Sequence, residues 1–179
     1  GNVRGEEPRV LTAREQQAVD ETLFRCSDPA ADQEMKKEVD LAAKQGESLG
    51  GIFVVYATGV VPGLGSHVHW DRRLDGLLAQ GIMSIPGIKG LEFGLGFAGA
   101  GMPGSVAHDP IYYTPERGYY RKTNHAGGLE GGMTNGEPLM IKVAMKPIPT
   151  LYNGLPTVDL CSGQQVTAAV ERSDLTAVP

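Results

Sequence analysis

The chain has 179 residues, of which 41% are hydrophobic, enough to bury one sizeable core, so a single domain over residues 1–179 is expected. A net charge of −5, with Lys and Arg scattered rather than massed, argues against a general nucleic-acid binder. Cys26 and Cys161 have no CxxC spacing, and there is neither a signal-peptide pattern nor an apolar stretch of the roughly 18 residues that a membrane helix needs, so a disulfide framework, secretion and a membrane span are not indicated. Both cysteines are expected to be small buried hydrophobes in a reducing compartment.

Taken in chain order, helices and strands alternate. Thr12 followed by Glu15 forms a capping box that opens a short helix, and Asp28-Pro29 places a cap and a first-turn proline at the start of a longer one. That second helix carries Met35, Val39 and Ala42 inward and ends near Gln45, with Gly46 as its C-terminal cap. Ile52 to Thr58 is almost continuously apolar, β-branched or aromatic, which predicts a central strand covered on both faces. Asp71 can cap a helix in which Leu74, Leu77, Leu78 and Ile82 recur at helical spacing. Ser84-Ile85-Pro86-Gly87 then makes a turn into the alternating strand Ile88 to Phe93. A glycine-rich loop from Gly94 to Gly104 leads to Ser105 and the pair His108-Asp109. Near the C-terminus, Thr157 to Leu160 and Gln165 to Glu171 suggest a strand pair.

Between these lies the densest signal. Five glycines fall between Asn124 and Gly136, a pattern tolerable only where the backbone turns with positive φ or something approaches it closely, and a ligand lying against it is expected. The strand that follows alternates, with Leu139, Ile141, Val143 and Met145 on one face and Met140, Lys142, Ala144 and Lys146 on the other. Pro147 and Pro149 stop it, leaving Lys146 at a strand end, where a cation beside glycine-rich backbone suits a phosphate or another anion. A tight turn and a solvated lysine are the plainer reading.

Two further groups have the residue types for chemistry. His67-Val68-His69 has the spacing that puts two imidazoles on one strand face, and with His108-Asp109 it could hold a metal and support a hydrolase. Glu171-Arg172-Ser173-Asp174 gathers cation, hydroxyl and carboxylate at a strand end, or is an exposed charge run.

The segments GGIFVVYATGVVPGLGS (50–66), MSIPGIKGLEFGLGF (83–97), NHAGGLEGGMTNGEP (124–138), MKPIPT (145–150) and ERSDLTAVP (171–179) together resemble chorismate synthase, in order and spacing. The resemblance covers most of the chain and implies an α+β fold, a helical core sandwiched between antiparallel sheets, assembled as a cytoplasmic homotetramer. It implies a lyase of the shikimate pathway that eliminates phosphate from 5-enolpyruvylshikimate-3-phosphate and depends on reduced FMN. Reduction by an intrinsic NADPH activity and by an external reductase both stay open. By the same resemblance, the flavin residues are Pro86, Gly87, Gly131, Lys146, Pro147, Ile148, Pro149, Thr150 and Arg172; Ser173 belongs to the substrate site, and Asp174 is the carboxylate that accepts a proton. Pro86-Gly87 departs from the family's Asn-Ala turn. The family's catalytic histidines and substrate arginines lie upstream of this segment, and no metal is implied. A glycine-rich module that binds a phosphorylated ligand without turnover is the competing reading.

Overall fold

A computed structural model describes residues 1–6, 9–170 and 176. The chain divides into two compact units, one formed by Gly1–Gly51 with Met145–Pro179 and the other by Ile52–Ala144.

In the first unit the local signals become helices. The Thr12 side chain accepts from the Glu15 N–H while Glu15 reaches back to the Thr12 N–H, which starts α1 (Ala13–Asp20). Asp28 Oδ1 accepts from the N–H groups of Ala30 and Ala31, Pro29 fills the first turn, and Gly46 ends α2 (Pro29–Gln45) in the left-handed region. Ala31 and Ala42 are buried on α2, and Met35 and Val39 are half-buried, as their spacing predicts. A short antiparallel hairpin, β8 (Pro156–Val158) with β9 (Gln165–Thr167), matches the expected strand pair in shortened form.

The second unit is built on a three-stranded sheet in the order β1 (Gly51–Ala57), β7 (Leu139–Met145), β2 (Ile88–Phe93). Leu139, Ile141 and Val143 are buried, which confirms the period-two reading, and with Ile88 and Leu129 they form the core of this unit. The expectation for β1 is corrected. It lies at the sheet edge, with Ile52 63% and Val55 44% exposed, so among the described residues its apolar run is not covered on both faces. A run of apolar residues records hydrophobic content, but which strand sits centrally is decided by pairing with distant β7.

The start of α3 (Leu74–Met83) is a second correction. Asp71 lies in a single-turn helix at Trp70–Arg72 and caps nothing; Arg73 precedes α3 without a side-chain cap. The Leu74 N–H instead donates to the carbonyl of Gly132 at 2.8 Å, so a distant loop does the work of the cap. The cysteines are a third. Cys26 is half-buried and Cys161 exposed, and both are free thiols.

The remaining elements are small. Gly96–Gly101 winds as a short 3-10 stretch before α4 (Gly104–Ala107). A tyrosine-rich hairpin pairs β3 (Ile111–Thr114) with β4 (Gly118–Arg121), and β5 (Leu129–Glu130) pairs with β6 (Met133–Thr134). No described helix is long and apolar enough to cross a membrane.

Candidate functional site

The glycine run folds into the β5–β6 hairpin and its approaches. Gly131 and Gly132 occupy its two-residue turn with φ of 61° and 89°, the sign that primed hairpin turns require. Close approach is also real, but the approaching backbone is the chain's own. A Cβ on Gly128 would lie 2.6 Å from the Pro138 carbonyl oxygen, and one on Gly132 would lie 2.7 Å from that of Ser66. Gly131 differs, because a Cβ there would meet nothing within 4 Å. Only its turn geometry calls for glycine, and its outer face is open.

Thr134 fixes the hairpin from below. Its buried hydroxyl donates to the Val61 carbonyl at 2.6 Å and accepts from the Leu64 N–H at 2.9 Å, tying the 61–65 turn to β6. On the flank, Arg121 pairs with Glu130 and donates from Nη1 to the Asn135 carbonyl, while its own N–H donates to Glu137 Oε1 at 2.9 Å.

Asp109 holds the approach to the run. Its side chain is fully buried and accepts from Thr123 Oγ1 at 2.5 Å and from the N–H groups of His125 and Ala126, each at 2.9 Å. Burial alone pushes this carboxyl up, but the Thr123 hydroxyl and the two backbone N–H groups outweigh it and hold it below its ordinary 3.8. His125 Nδ1 stands 3.2 Å from the Ala107 carbonyl, an acceptor only, so the proton of the neutral ring sits on Nδ1. The side chain of His125, with His108, Glu130 and Phe93, lines a shallow cleft against the 94–101 loop. Asp109 is therefore an internal anchor. Among the described residues no group of three His, Cys, Asp or Glu comes together as a metal site, so His67, His69 and His108-Asp109 do not form the suggested centre.

The other sequence-predicted positions fall as follows. Pro86 and Gly87 form a turn closed by the Ile88 N–H on the Ile85 carbonyl at 3.2 Å, with Gly87 at φ 91°, as a type II turn with Pro then Gly requires. These two and Gly131 belong to the second unit. In the first unit, Lys146 and Pro147 follow directly on β7 and are exposed, as is Pro149, while Ile148 and Thr150 are half-buried. Ser48 Oγ donates to the Ile148 carbonyl at 2.6 Å, and Gly50 packs its backbone against Met145 to Pro147, so the segment is held by main chain and Lys146 keeps its side chain in solvent. Arg172, Ser173 and Asp174 lie outside the described residues. What sequence reasoning missed is the Asp109 anchor and the Thr134 tie, since neither polar residue announces a partner far along the chain.

The chorismate synthase family model matches residues 3–179. The chain is 57% identical to chorismate synthase of Moorella thermoacetica over 162 residues, and 55% identical to that of Thermus thermophilus over 161; each match covers 90% of this chain and 42% of the relative. With the chorismate synthase of Desulforudis audaxviator it is 50% identical over 179 residues, all of this chain and 46% of that one. A solved crystal structure of chorismate synthase superposes with a TM-score of 0.72 at 50% identity, over 75% of this chain and 40% of the other. The chain thus spans under half the length of these relatives, and its mixed α/β fold with small antiparallel sheets matches the solved structure. It belongs to the chorismate synthase family.

Proposed function

We propose that this chain is the central to C-terminal part of a chorismate synthase, a lyase that removes phosphate from 5-enolpyruvylshikimate-3-phosphate by 1,4-elimination to give chorismate, with reduced FMN as cofactor. The observation that carries this reading is the family match, which runs through both units from residue 3 to residue 179. It also supports reading residues 1–179 as one family domain within the α+β sandwich, assembled as a cytoplasmic homotetramer.

Each in its own unit, the residues that the family resemblance assigns to the flavin are of kinds that suit a cofactor with a phosphate tail. Gly131 leaves its outer face open in a rigid turn, Pro86-Gly87 offers a second fixed turn, and Lys146 offers a solvated cation on a segment held by main chain. These residues, with Pro147, Ile148, Pro149, Thr150 and Arg172, would hold the cofactor. The chemistry that reduced FMN would supply there, when bound, is transient electron density for the allylic elimination. The chain's own part is electrostatic and acid–base. Cations and backbone N–H groups stabilise the negative charge that builds on the departing phosphate, Ser173 helps to orient the substrate, and the Asp174 carboxylate takes up the proton lost in the elimination.

The test is anaerobic incubation of the full-length protein with reduced FMN and 5-enolpyruvylshikimate-3-phosphate. Equal amounts of chorismate and phosphate are expected, with none when the flavin is oxidised. The 179-residue chain alone should form no chorismate, because it spans under half of its relatives. Tight binding of the phosphorylated substrate by the full-length protein without phosphate release would favour the non-catalytic module instead.

A further inference from the structure

A carboxylate with no exposed side-chain surface is costly unless its oxygens are fully used, and at Asp109 they are used on one short segment. Oδ1 takes the Thr123 hydroxyl and the His125 N–H, and Oδ2 takes the Ala126 N–H. Three bonds to residues 123–126 leave Asn124, between them, with little freedom. Its side-chain amide then does two things at once. Nδ2 donates to the Pro138 carbonyl and Oδ1 accepts from the Gly128 N–H, both at 2.8 Å. The Gly128 carbonyl in turn accepts from the Asn135 N–H at 3.0 Å, closing the base of the β5–β6 hairpin whose tip is Gly131. Hydrogen bonds, with the short stretches of chain between them, therefore link a buried charge to the base of the hairpin whose turn has an open outer face.

We propose that Asp109 is a positioning residue, which acts through Asn124 to hold the Gly131 turn in the conformation that receives the cofactor. This rests on the function proposed above. The design follows from the glycines themselves. A backbone rich in glycine loses much entropy on ordering, so a turn meant to meet a ligand needs an anchor outside the run. Asp109 supplies it without touching the ligand.

The test combines amide hydrogen exchange on the 179-residue chain with reduced-FMN affinity of the full-length protein in the presence of 5-enolpyruvylshikimate-3-phosphate. Asp109→Asn places an amide donor against backbone donors. It is expected to speed exchange at His125, Ala126 and Gly128 by about tenfold or more while α2 is unchanged, and to weaken reduced-FMN binding by about tenfold or more, as lost hydrogen bonds to a charged group should. Thr123→Val, which removes one donor, should give the same pattern at smaller amplitude, and Thr123→Ser should restore the wild type; this pair decides the matter if Asp109→Asn does not fold. Unchanged exchange at these amides overturns the proposal. So does faster exchange with unaltered FMN affinity, which would make Asp109 an anchor of the fold alone. A wild-type protein that binds no reduced FMN would sink the proposed function itself, and this assignment with it.

Discussion

Lys142 Nζ lies 3.1 Å from Glu92 Oε1 across β7 and β2, and the other oxygen of Glu92 accepts the Phe97 N–H at 3.0 Å. The N–H of Phe97 and then Lys142, working against burial, hold this carboxyl below its ordinary range. Lys142 is thus occupied in joining the sheet to the 94–101 loop, whereas Lys146 is exposed. Lys146→Ala in the full-length protein is expected to weaken reduced-FMN binding by about 1–3 kcal/mol, the range for a charge-assisted hydrogen bond. Lys142→Ala should leave that affinity unchanged and lower stability by less than about 1 kcal/mol, since the pair is partly solvated. Calorimetric titration of both variants with substrate present checks the contrast.

Thr134→Val should be more harmful than its near-identical shape suggests. The methyl replaces a hydroxyl that serves Val61 and Leu64 together, and leaves a part-buried carbonyl and N–H without that partner. A loss of about 1–3 kcal/mol is expected in urea denaturation of this chain, with Thr134→Ser losing clearly less.

Acid should loosen the approach to the glycine run. Asp109 has a folded-state pKa below 3.8, so its contribution to stability is fully present above the unfolded value and is lost as pH falls through the folded one. The titratable side chain facing it is His125, with Nδ1 at 3.9 Å. Stability of wild type should therefore fall more steeply than that of Asp109→Asn as pH drops below about 4. Equal slopes in denaturation midpoint against pH would contradict the assignment.

Two glycines of the same run should respond in opposite ways. Gly128→Ala forces a Cβ against the Pro138 carbonyl at φ 82°, and a loss of about 2 kcal/mol or more is expected. Gly131→Asn has open space and a φ of 61° that asparagine accepts, so stability should shift by less than about 0.5 kcal/mol. Reduced-FMN affinity of the Gly131→Asn protein should nonetheless fall, because the new side chain stands on the proposed cofactor face.

Asp174→Asn keeps the shape of the side chain but removes its basicity. In the full-length protein turnover should drop by roughly 100-fold or more with flavin and substrate affinity little changed. Single-turnover kinetics separate this from a binding defect, which would instead lower affinity at an unaltered rate.

What the sequence discloses is what depends on near neighbours. Thr12 with Glu15, and Asp28-Pro29 with Gly46, predict their helices because each cap bonds within a few residues of itself. The alternation of Leu139 to Val143 is likewise a local pattern set by one buried face. The failures share one cause, which is partners far away in the chain. Asp71 looks like a cap because a carboxylate precedes a leucine pattern, yet the Gly132 carbonyl receives the Leu74 N–H. Ile52 to Thr58 has the composition of a central strand, yet β7 takes the centre. The glycine density rightly signals close approach, while the chain's own backbone at Gly128 and Gly132 accounts for much of it. At His108-Asp109 the residue types suggest a ligand set, and the carboxylate is spent on residues 123–126.

The order of the main sheet also has a consequence for synthesis. β7 lies between β1 and β2, yet it is the last of the three to leave the ribosome. Until Leu139–Met145 has emerged, Gly51–Ala57 and Ile88–Phe93 have no pairing partner in this sheet among the described residues, and nascent chains longer than β2 but shorter than β7 carry two unpaired edges, that of the apolar β1 among them. Stalled chains ending in that interval should be the ones that recruit chaperones, and the sheet should form in a single late step set by its long-range contacts.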